Sequence, residues 1–164
     1  MTTATARAVG VSAETRLRVG GAVMAGAALG FIGYAVIFFV RNFTDSFLEL
    51  GIGSSEVSVG KEEIIAFSPS LYHYVSHLHV AVSGFIAATG LAVAALAWFG
   101  VRRGLFWAWV AAVAAPVLGL AVALPAHYPN DLDTIGHLGL VYAATLIFVA
   151  GALVALAGLR RHTA

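Results

Sequence analysis

Four long apolar runs constrain this chain more than anything else in it. They extend from Val19 to Val40, Leu71 to Phe99, Leu105 to Leu124 and Ile135 to Leu159. Each is long enough to cross a hydrocarbon core, which takes about 20 helical residues. The runs are continuous and lack period-two alternation, so they predict helices and not barrel strands. The expected fold is all-α: an integral membrane four-helix bundle, up-down-up-down, with helices at about 19–41, 69–99, 105–126 and 134–159. Residues 1–18 are expected to form a disordered tail, 42–68 an extracytoplasmic loop, and 160–164 a second short tail. The first run is too long for a signal-peptide core and is followed by no A-x-A-like cleavage site.

Composition agrees. Sixty per cent of the 164 residues are hydrophobic and 10% are charged, against about 25% charged in a soluble domain. The absence of cysteine excludes disulfides, thiolate metal sites and Cys nucleophiles. A net charge of +1 gives no basic surface for nucleic acid.

The charges that remain are segregated. Arg7, Arg16, Arg18, Arg102, Arg103, Arg160 and Arg161 fall at one end of the spans, opposed by Glu14. Asp45, Glu49, Glu56, Glu62, Glu63, Asp131 and Asp133 fall at the other, with Arg41 and Lys61. The positive-inside rule then expects both termini in the cytoplasm, in a plasma or inner membrane.

The long loop contains one helical piece, Ser58–Phe67, with acids near its start where the helix dipole favours them. Ser68-Pro69 reads as an N-cap followed by proline at the first helical position. In the first span Gly26 and Gly30 form a G-x-x-x-G pair. That pattern lets another backbone approach closely, either as intramolecular packing or as a face for a homo-oligomer or membrane partner. Pro116 predicts a kink in the third span. Trp98, Trp107 and Trp109 mark the aromatic belt of the arginine-rich end.

Five of the six histidines lie on the opposite, outer half. At about 1.5 Å per residue, His79 is about 30 Å from Phe99, His127 about 33 Å from Leu105, and His137 about 33 Å from Leu159. Three helices thus carry an imidazole at one level. His73 and His77 share a helical face, while His79 lies about 160° round from His77.

Neutral imidazole is the commonest side-chain metal ligand. Two or three histidines with a carboxylate suit zinc, copper or iron. His77, His79, His127 and His137 with Asp133 are therefore the candidate metal ligands. Bis-histidine ligation of haem b by His79 and His137 is a second expectation. Acid–base chemistry on a lipid-like or isoprenoid substrate is a third. Beside these stands a cofactor-free scaffold or accessory subunit, in which the histidines only anchor the bundle at the interface.

Overall fold

The computed structural model describes the backbone of residues 2–162 and the side chains of residues 13–160. Four helices are long and apolar enough to span a membrane: Ala13–Thr44, Pro69–Arg103, Phe106–Asn130 and Ile135–Arg160. Among the described residues the α-helices are α1 (Thr2–Thr44), α2 (Lys61–Phe67), α3 (Pro69–Ala95), α4 (Phe106–Ala123) and α5 (Ile135–His162), with the spans on α1, α3, α4 and α5. A wide π-type turn, Leu96–Gly100, and a tight turn, Val101–Arg103, carry α3 onward. Short 3-10 turns, Leu124–Ala126 and Tyr128–Asn130, extend α4.

One boundary departs from expectation. The first helix does not begin at Val19, because residues 13–18 continue it inward from the tail. Ala13 and Leu17 are buried, and both lie where a side chain on Gly158 of α5 would fall. Tertiary contact with α5 thus continues the helix past the apolar run.

The α1 helix is the spine. It runs antiparallel to α5, with Leu17 beside Gly158 and Gly20 beside Gly151 and Ala155. It runs antiparallel to α3 as well, with Ala28 beside Gly90 and Phe38 beside His79. The core between them is made of small residues, including Ala25, Ala28, Ala97, Ala152 and Ala155, with Met24, Val93 and Phe148 as its larger members. Small side chains let helix backbones come close where lipid supplies no hydrophobic drive.

The glycines that make these contacts are not the Gly26–Gly30 pair. A Cβ on Gly20 would sit 2.5 Å from the Ala155 nitrogen, and one on Gly151 would sit 2.9 Å from the Met24 nitrogen. Nothing lies within 4 Å of a Cβ built on Gly26, Gly30 or Gly33. Those three point away from the bundle, so the intramolecular packing expected of Gly26 and Gly30 falls to other glycines.

The α4 helix packs through its first half. Ala108 and Ala112 are buried, and no residue from Pro116 to Ala123 is. The Trp109 Nε1–H donates to the Ala152 carbonyl at 3.0 Å, tying α4 to α5.

The loop between α1 and α3 is ordered by capping. Glu63 accepts the Gly60 N–H at 3.0 Å, fixing the start of α2. The Ser68 hydroxyl accepts the Leu71 N–H at 3.3 Å with Pro69 in the first helical position, as the sequence predicts.

Candidate functional site

The ends of α1, α3, α4 and α5 opposite the arginine-rich end meet beneath this loop. Asn42, fully buried at the end of α1, donates through Nδ2 to the Ser76 hydroxyl at 2.8 Å. Its backbone carbonyl accepts from the Tyr72 hydroxyl at 3.3 Å. Arg41 next to it donates to the Phe47 carbonyl at 3.1 Å and pairs with Asp45 at 3.6 Å. These contacts fold the chain after α1 back over the bundle instead of away from it.

The folded-back segment delivers a carboxylate to the histidines. His137, 2% exposed, donates from Nδ1 to the Leu50 carbonyl at 2.8 Å. A carbonyl only accepts, so this bond fixes the proton on Nδ1 and leaves Nε2 as the lone-pair nitrogen of the neutral ring. Glu49 Oε2 lies 3.2 Å from that Nε2. The two form an ion pair when the ring is protonated; among the described residues the buried Nε2 has no hydrogen-bond partner. The His127 ring tilts over His137 at a centroid distance of 5.1 Å, and its own Nδ1 donates to the Ala123 carbonyl at 3.0 Å.

The close approach of the loop to α5 depends on glycine. Gly51 has φ of +73°, a left-handed conformation that suits glycine, and its Cα faces the backbone of Gly136 so closely that a Cβ would collide with it. Glu49 and Leu50 reach His137 because of that contact.

His79 is buried on the neighbouring helix but does not share the His127–His137 contact. Its ring lies nearly parallel to Phe38 at 3.7 Å, and its Nε2 donates to the Phe38 carbonyl at 3.1 Å. Ligation of an iron ion through Nε2 would break that hydrogen bond.

The structure therefore divides the residues singled out in the sequence. His127 and His137 come together, and His79 stands beside α1. His73, His77 and Asp133 are exposed. Among the described residues no group of three or more histidines and carboxylates has the geometry of a metal site. Glu49 was missed, because nothing in its spacing from the histidines marks it. The one available signal was the pair Gly51 and Gly53 directly after it, which lets a loop turn back.

A cavity of about 190 Å³ lies under the loop, walled by apolar residues such as Phe47, Leu48, Ile52 and Ile64, with Glu49 and Lys61 as its charged members. It is smaller than the 300–1,000 Å³ or so of ordinary ligand pockets. No known protein family, curated protein or solved structure matches this chain.

Proposed function

We propose that this is a small integral membrane protein whose outer end, beneath the loop, binds a transition-metal ion through His137 and Glu49, beside the His127 ring. One observation carries the reading: the buried Nε2 of His137, without a hydrogen-bond partner among the described residues, at 3.2 Å from Glu49 Oε2. Two ligands at about 2.0–2.1 Å from a tetrahedral ion stand about 3.3–3.4 Å apart. The observed spacing of 3.2 Å is close to that edge. The Nδ1–H bond to a backbone carbonyl is the usual outer contact of a ligating histidine.

A set of two protein ligands leaves positions on the ion open, unlike the closed four-ligand sites that only brace a fold. Zinc, copper and iron fit the nitrogen and oxygen donors. The reading places the site on the extracytoplasmic side with both termini in the cytoplasm, on the strength of the arginine asymmetry. Haem has less support, since His79 is turned against Phe38.

The test is equilibrium dialysis of chelator-stripped, untagged protein against zinc chloride, followed by metal analysis. The wild-type chain is expected to retain one zinc. His137→Ala and Glu49→Gln are expected to lose it, whereas His77→Ala keeps it. Retention by His137→Ala, or none by the wild type, overturns the reading.

A second reading, a scaffold or accessory subunit, is favoured by the open face of Gly26, Gly30 and Gly33. It expects Gly26→Leu and Gly30→Leu to disrupt self-association or partner capture in membranes. Unaltered assembly in both variants removes it.

A further inference from the structure

The arginine-rich end of the bundle carries a second candidate site, unrelated to the histidines. A groove of about 350 Å³ opens between the end of α3 and the start of α4. Its walls are Leu96, Phe99, Leu105 and Trp107, and Arg103 is its one charged lining residue. Phe99 and Trp107 are 59% and 62% exposed, so their aromatic surface is not used by the bundle itself.

The wide turn Leu96–Gly100 builds one wall, and such turns recur at functional sites. Gly100 lets α4 begin in direct contact with it, since a Cβ there would run into Ala108. The other wall is the first turn of α4, whose N-cap residue Leu105 makes no side-chain cap. The positive end of that helix dipole therefore adds to the charge of Arg103.

The two neighbouring arginines are not equivalent. Arg102 lies over the Trp98 ring at 3.7 Å and packs where a side chain on Gly21 of α1 would fall. It is committed to the bundle. Arg103 is exposed and stands at the mouth of the groove. The one acid described at this end, Glu14, pairs with Arg18 at 3.8 Å and does not line the groove.

We propose that this groove binds one anionic glycerophospholipid, with the phosphate on Arg103 and an acyl chain along Leu96, Phe99 and Trp107. The argument is complementarity. A cation at the mouth of an apolar, aromatic-walled groove at the end of a membrane span matches a molecule with an anionic head and an apolar tail.

Native mass spectrometry of the full chain released from nanodiscs of phosphatidylcholine and phosphatidylglycerol (9:1) tests it. The wild type is expected to retain one phosphatidylglycerol, enriched about fivefold over its share of the bilayer, the factor for one arginine near an anionic surface. Arg103→Gln is expected to abolish the enrichment and Trp107→Ala to reduce retention of any lipid, whereas Arg18→Gln leaves both unchanged. Equal retention of the two lipids by the wild type, or full enrichment in Arg103→Gln, overturns the proposal. So does a photo-crosslinker at position 107 that captures a second copy of the chain instead of lipid.

Discussion

Replacing Gly20 by alanine should destabilise the bundle, and the same replacement at Gly26 should not. The new Cβ at position 20 would lie 2.5 Å from the Ala155 nitrogen and 2.7 Å from the Gly151 carbonyl oxygen. Both are backbone atoms, so neither can rotate away. Restoring ordinary contact at about 3.4 Å means moving α1 and α5 apart by about 0.9 Å in a close-packed interface. Overpacking of this kind costs about 1–3 kcal/mol. At Gly26 the Cβ meets nothing within 4 Å. Alanine gains helix propensity over glycine at both positions, so that gain cancels between the variants and their difference isolates the steric cost. With about 2–4 °C per kcal/mol for a chain of this size, Gly20→Ala should melt about 2–12 °C below Gly26→Ala. Tryptophan fluorescence during thermal unfolding in detergent is a direct assay, because Trp109 is bonded to Ala152, one helical turn from Ala155. Melting of the two variants within about 1 °C of each other would refute the reasoning, since it would put the steric cost below about 0.5 kcal/mol.

Three further outcomes follow from particular contacts. Hydrogen bonds from the Ser55 hydroxyl and the Gly53 N–H hold the Glu56 carboxyl below its ordinary pKa of 4.5. The turn they close is therefore favoured at neutral pH and lost as pH falls through that lowered value; a Gly53 amide resonance titrating at or above 4.5 would contradict this. A double-mutant cycle on Asn42→Ala and Ser76→Ala should show a coupling of about 0.6–1.7 kcal/mol, the range for hydrogen bonds between membrane helices, and additive effects would mean that the 2.8 Å contact contributes nothing. Gly51→Ala should free the loop from α5 and speed cleavage at Glu49 and Glu56 by glutamyl endopeptidase, whereas Gly53→Ala, whose Cβ meets nothing closer than 3.8 Å, should not; equal cleavage rates would exclude the Gly51–Gly136 contact as the anchor.

The spans were legible because continuous apolar runs have one workable solution in a bilayer. The shared level of His127 and His137 was legible too, because helical rise is constant. Direction was harder. His77 and His79 both lie on stripes of small and polar residues, and only packing shows that His79 turns to Phe38 while His77 stays exposed. Gly26 and Gly30 carry the familiar spacing, yet Gly20, Gly151 and Gly158 make the crossing, because α1 is in contact on two sides and the motif does not say which. Glu49 could not be found from spacing at all. Its position comes from Arg41, Asn42 and Gly51 turning the loop inward, and the contacts of Asn42 with Ser76 and of Gly51 with Gly136 join residues far apart in sequence.

The one-sided packing of α4 has a mechanical consequence. The helix is clamped at Ala108 and Ala112 and extends about 22 Å from there to His127, as a cantilever extends from a wall. What ties its tip is the end of the bundle beneath the loop: the Tyr128 and Tyr142 hydroxyls at 3.2 Å and the His127–His137 ring contact. Pivoting at the clamp by 5° carries the tip sideways by about 2 Å, more than the misfit of a typical coordination bond. The spacing between His127 and its neighbours is therefore governed by the stiffness of one lever arm and not by the compressibility of a core. A force applied at the tip is felt as a torque on the Gly100–Ala108 contact at the other face of the membrane.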